Sequence, residues 1–152
     1  MNLNRIDVSL TENDFNQMIG RYAPQEGRVS NLKLDIHEGH LVITGSVKVV
    51  LNISFEVTMR LEHDEHRLIA RLMSLKPMRL ITDQLKEMIL DKIIERMPEG
   101  ATREKDALFF DLNHIIRSRG FDGDLTIHAL HTADDAVTLE MSGSIGFGEA
   151  IV

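Results

Sequence analysis

The sequence predicts an α+β domain in which a long, strongly curved antiparallel sheet wraps around an amphipathic helix. Between Val47 and Leu61 every odd position is apolar: Val47, Val49, Leu51, Ile53, Phe55, Val57, Met59 and Leu61. The even positions are polar except at Val50. A period of two marks a strand with one dry and one wet face. The pattern reaches back to Leu41 with a gap only at Gly45, a run of ~70 Å if fully extended. A globule of this chain length is only ~40 Å across. The segment must therefore bend, break at Gly45 or belong to an elongated molecule. Even the part from Val47 onward would span ~50 Å, which favours curvature. The object to be wrapped is the helix "TDQLKEMILDKIIERM" (82–97). Ile81, Leu85, Met88, Ile89 and Ile93 make its apolar stripe, and Leu90, Ile94 and Met97 widen it beyond one flat contact.

The other elements follow in chain order. Residues 10–22 read as a helix with Thr11 as N-cap, Asp14 at N3, and Leu10 and Phe15 placed as a hydrophobic staple. Phe15, Met18, Ile19 and Tyr22 form its stripe. "APQEGRVS" is a loop, and "NLKLDIH" alternates with Leu32, Leu34 and Ile36 inward. "HEGH" (37–40) is a turn before the long strand, and "HDEH" (63–66) is the turn after it. Arg67 to Leu75 is the next strand, with a confused parity that calls for a bulge or for cover on both faces. Pro77 and Met78 lead out of the sheet, and Pro98 and Gly100 end the 82–97 helix. A short strand at Ala107–Phe110 precedes a small helix capped by Asp111, with Phe110 and Ile115 as its staple and Gly120 as its stop. "DLTIHAL" and "AVTLEMS" form a hairpin around "ADD", and residues 143–152 are a last strand or a flexible tail. The order capped helix, loop, strand, turn, strand occurs twice, at 11–47 and 111–145, with Thr44-Gly45-Ser46-Val47 echoed by Ser142-Gly143-Ser144-Ile145.

Composition narrows the function. The 152 residues make one domain's worth of chain, long enough to bury a sizeable core. No cysteine is present, so disulfides and thiolate metal sites are excluded. A formal net charge of -7 argues against nucleic acid and against anionic lipid surfaces. No basic cluster or apolar run opens the chain, and no window approaches the ~20 apolar residues of a membrane span. The expectation is a soluble, cytoplasmic protein without an integral membrane segment. Eight Met residues and no Trp give an aliphatic, adaptable interior.

Capped helix "LTENDFNQMI", alternating hairpin strands, an amphipathic helix ending "RMP", then "FDLNHII" and a final hairpin together resemble a bacterial phospholipid-binding-like family related to the tubular lipid-binding (TULIP) superfamily. The resemblance covers about residues 10–143 and lies in element order and patterning rather than in a catalytic motif. It implies a curved sheet coiled around a long helix, with a groove for acyl chains and no chemistry. Proteins of that kind which handle envelope lipids usually carry an export signal or anchor, and neither is seen here.

Catalytic patterns are missing. His37, His40, His63 and His66 with their acidic neighbours are ligand types suited to Zn or Ni. They lie in turns, however, and consecutive turns of a meander sit at opposite ends of a sheet. His128 falls on the polar parity of its strand, His131 near the strand end and His114 at N3 of a short helix, and none is expected to be a ligand. The pairs Asp64/Glu65 and Asp134/Asp135 fall in exposed turns that do not separate two carboxyl pKa values. No GxSxG elbow occurs, and "GSIGFG" lacks the following helix of a phosphate loop. The expected function is therefore non-enzymatic binding of a lipid or other apolar molecule, with no cofactor and no metal. Leu51, Ile53, Phe55, Val57 and Met59 of the sheet and Leu85, Met88 and Ile89 of the helix would line the groove. The same side chains would serve equally as a dry core. The alternative is a ligand-free interaction module that pairs exposed sheet edges into a homodimer.

Overall fold

The computed structural model describes residues 2–22, 29–37, 39–48, 51–77, 79–95, 97, 99–118, 120–133 and 135–147, with side chains except at 18–22 and 147. The elements run β1 (Asn2–Thr11), α1 (Glu12–Tyr22), β2 (Val29–His37), β3 (His40–Lys48), β4 (Asn52–His63), β5 (Arg67–Lys76) and α2 (Asp83–Glu95). Then come β6 (Ala101–Glu104), β7 (Ala107–Asp111), α3 (Leu112–Ser118), β8 (Phe121–Thr132) and β9 (Ala136–Phe147). The fold is α+β. Every ladder is antiparallel, in a six-stranded sheet ordered β2-β3-β4-β5-β7-β6 and a three-stranded sheet ordered β1-β9-β8.

The long alternating run is two strands. The chain turns back between Lys48 and Asn52, which pair with each other, and Leu41 comes to lie opposite Met59. Each pair joins two odd or two even positions, so the alternation crosses the connection without changing phase. Gly45 is not the break. It sits inside β3 opposite Phe55, where a Cβ would lie 2.8 Å from Phe55 Cζ and 2.9 Å from Leu32 Cδ2. Glycine is there for the close approach of two large side chains.

The confused parity of β5 has both expected causes. Thr58 pairs with Ser74 but Met59 with Leu72, so Met73 is the extra residue of a bulge. Before it, Leu68 and Ala70 face the main core; after it, Leu75 does. The opposite face is covered at Ile69, which packs in a small separate cluster with Ala107 and Phe109. Arg67 stacks its guanidinium 4.7 Å from the Phe109 ring centroid.

Helix ends obey local chemistry. The Thr11 N–H donates to Asp14 Oδ2 at 2.9 Å, and the Asp14 N–H donates to Thr11 Oγ1 at 3.1 Å. The reciprocal pair satisfies two otherwise orphaned donors. Thr82 Oγ1 accepts from the Leu85 N–H at 3.2 Å, and Asp111 Oδ1 from the His114 N–H at 3.1 Å. Gly120 follows α3 with φ 89, a left-handed stop. The predicted stripe residues Met18, Ile19 and Tyr22 have side chains outside the described set, as do Met78 and Pro98 altogether. Residues 143–147 continue β9, and 148–152 lie outside the described residues.

One apolar core joins both sheets and α2. It contains Val57 and Met59 of β4, Ile89, Leu90 and Ile93 of α2, and Leu125, Val137 and Leu139 of the smaller sheet. Ile89 and Leu90 are neighbours on the helix, ~100° apart around its axis, yet both are fully buried. A broad stripe is needed because the helix is dry on more than one side.

The chain passes between the sheets twice by the same device. β1 in the smaller sheet leads through α1 to β2, an edge of the larger; β7 in the larger leads through α3 to β8, an edge of the smaller. At matching positions the Glu12 N–H donates to Asp135 O and the Leu112 N–H to His66 O. Asn16 of α1 brackets Leu34, with Oδ1 accepting its N–H and Nδ2 donating to its C=O, both at 2.8 Å. Asn113 of α3 brackets Leu125 in the same sense, at 2.9 and 3.4 Å. The sequence echo thus has a structural counterpart in helix, strand and hairpin.

Candidate functional site

Seven of the eight groove residues expected from sequence meet in one place. Phe55, Val57, Met59 and Ile89 are buried in the main core, and Ile53, Leu85 and Met88 pack against it half-buried. Leu51 does not join them. It lies in the bend between β3 and β4 and is 76% exposed, because the alternation it belongs to continues in sequence while the chain reverses.

Beside Met59 lies a void of about 30 Å³. Leu34, Ile43, Met59, Leu108 and Phe110 of the larger sheet line it, together with Phe15 of α1 and Met97. Its walls contribute no polar surface. Of the expected lining residues only Met59 reaches it. The others belong to strands and to Phe15 and Met97, which were legible as apolar stripe positions but not as neighbours, since nothing local sets which strands face α1. The void has room for a water molecule or two, by the ~10–15 Å³ that each needs, and an acyl chain would require its lining side chains to move.

Two larger concavities are open to solvent. One of about 520 Å³ is lined by Thr44, Ser46, Ser54, Glu56, Lys76 and Pro77 among others, and one of about 750 Å³ by Arg71, Glu104, Lys105, Asp106 and Phe109 among others. Their sizes fall in the range of ligand pockets. In the second, Arg71 Nε donates to Glu62 at 2.6 Å and Asp106 stands 3.3 Å from Lys86.

The histidine turns are closer together than the sequence reading placed them. With β3 and β4 as separate strands, "HEGH" and "HDEH" are the first and third turns of the meander and lie at the same end of the sheet. His40 pairs with Arg60, three residues before His63. Even so, among the described residues no group of three His, Asp or Glu is positioned to hold a metal ion. His66 instead is placed with Nδ1 3.1 Å from Leu125 O. Asp64 organises this turn. It accepts the N–H groups of His66 and Arg67 at 3.0 and 2.7 Å and the Arg67 side chain at 2.8 Å. Partial burial works to raise its pKa, but the Arg67 hydrogen bond and the two backbone N–H groups outweigh it and hold the carboxyl below its usual range. Glu62 is likewise lowered, by the Arg71 hydrogen bond first and then by Arg60. On the wet face of the smaller sheet His128 Nε2 lies 2.5 Å from Ser142 Oγ. Both stand on an open sheet surface, and no acid among the described residues is hydrogen-bonded to the imidazole to complete a catalytic triad.

Among the described residues no helix is long and apolar enough to cross a membrane. No family model, curated protein or solved structure matches the chain.

Proposed function

We propose that the protein binds a lipid acyl chain or a similar apolar molecule without chemistry, between the larger sheet and the helices that cover it. The proposal includes the finer geometry of the TULIP resemblance: a sheet curved around α2, in a soluble, cytoplasmic protein. The observation that supports it is the void at Met59, walled entirely by hydrocarbon and thioether groups, to which Phe15 of α1 and Met97 contribute alongside the larger sheet. Unbranched thioether chains change rotamer at little cost, so Met59 and Met97 are the wall members suited to yield to a guest. Each Å² of apolar ligand surface removed from water contributes about 25 cal/mol.

Organic extraction of freshly purified protein followed by mass spectrometry tests the reading. The expected result is a co-purified lipid near one per chain, together with saturable binding of a fluorescent fatty acid. Ala70→Leu adds bulk to a wall residue of the void and should weaken fatty-acid binding at least tenfold. An empty extract together with no saturable binding overturns the proposal.

A further inference from the structure

The two sheets present four strand edges: β2 and β6 of the larger, β1 and β8 of the smaller. An edge carries a row of N–H and C=O groups ready to pair with another strand. On β2 that row is occupied by α1, since Asn16 takes both groups of Leu34 and Glu12 Oε1 accepts the Ile36 N–H at 2.8 Å. On β8 it is occupied by Asn113, which takes both groups of Leu125, and by Glu65 O, which accepts the Ile127 N–H at 2.7 Å. β6 is only four residues long. β1 is ten residues long; the outward N–H of Thr11 at its end is taken by Asp14, and among the described residues no other hydrogen bond to its outer edge is found. The fold seals two long edges with side chains and leaves this one open.

We propose that β1 pairs with β1 of a second copy of this chain, antiparallel about a two-fold axis at Ile6. The strand's own charges select that register. Arg5 and Asp7 lie on the wet face, 67% and 48% exposed and paired with each other along the strand at 3.3 Å, a pair that the second copy's charges would extend across the axis; Ile6 and Val8 pack half-buried against the core on the other face. Centring on Ile6 sets Arg5 across from the partner's Asp7 and Asp7 across from the partner's Arg5. Centring on Arg5 or on Asp7 puts like charges face to face, which is destabilising. Glu140 of β9 stands 3.7 Å from Arg5 and His131 is 3.8 Å from Glu140, so the arginine keeps a carboxylate on its own sheet while it meets another across the axis. The bulge between Leu3 and Ile6 shortens the matched stretch and makes the dimer a weak one. An isologous contact of this kind closes on itself and joins two three-stranded sheets into one of six strands.

Sedimentation equilibrium at about 100 µM, a concentration that populates complexes of micromolar Kd, should give a dimer. Arg5→Asp and Asp7→Arg should each weaken it at least tenfold, and the double exchange Arg5→Asp/Asp7→Arg should restore it. Because the chain has no cysteine, Ile6→Cys supplies a second readout: mild oxidation should give a disulfide-linked dimer, while Lys33→Cys on the sealed β2 edge should not. A wild-type monomer at that concentration overturns the proposal. So does a dimer that survives both charge reversals and fails to cross-link through residue 6.

Discussion

Among the described residues Asn113 is the one buried polar side chain, 7% exposed, and its two hydrogen bonds fall on the N–H and C=O of a single residue, Leu125. Replacing it by alanine strands the Leu125 N–H, while the Leu125 carbonyl keeps His66 Nδ1 at 3.1 Å. Asn113→Ala should cost about 1–3 kcal/mol, read as a lower urea midpoint at unchanged slope. Asn16→Ala, at the equivalent position, strands both groups of Leu34, itself 1% exposed, and should cost about as much. Gly45 carries the opposite kind of constraint. Gly45→Ala forces Phe55 or Leu32 to move and should cost about 1–3 kcal/mol; pairing it with Phe55→Leu should recover part of the loss. Asparagine and glycine are poor residues for a helix and a strand by propensity. Their placement makes sense only once the neighbouring strand is known, which is why neither role could be read from the sequence.

At the scale of elements, the capped helices were the most legible part of the chain because a cap is local. Thr11 and Asp14 meet as their spacing requires, and Thr11→Ala should lower stability by about 1 kcal/mol, measured by thermal or urea unfolding. Strand boundaries were less legible. The connection between β3 and β4 carries none of the Gly, Asn or Pro punctuation that marks reversals, and the parity survives it, so one strand and two look alike in sequence. β1 is the reverse case. Its apolar positions Ile6, Val8 and Leu10 are few and half-exposed, and its partner β9 is far away in sequence. The turn at Asp64 gives an element-scale prediction for pH. The folded-state pKa of Asp64 is lowered, so its stabilisation is complete above the ordinary aspartate value and is lost as pH falls through the lowered one. The melting temperature should decline across that acid window, and Asp64→Asn should flatten this part of the profile.

For the molecule as a whole, the decisive contact is α2 against both sheets. Ile89 is fully buried in the shared core, and Ile89→Ala should cost about 2–5 kcal/mol, read from urea unfolding followed by far-UV circular dichroism. The broad stripe on α2 was readable as a demand for cover on several sides; that two sheets provide the cover was not. The candidate site was less legible. Periodicity identified which side chains are dry, but of the eight named only Met59 lines the void. It did not identify where their packing leaves room, because a void is a property of facing surfaces rather than of one strand.

The first strand of the chain finds its mate in the last. Ser9 Oγ lies 2.8 Å from Thr138 Oγ1, a contact across most of the polypeptide, and β1 reaches no other strand. During synthesis β1 must therefore wait, unzipped, until the partner strand 129 residues further on has emerged. Such late closure is slow by topology. It leaves the growing chain dependent on β1 staying in water, a task for which Arg5 and Asp7 are well placed.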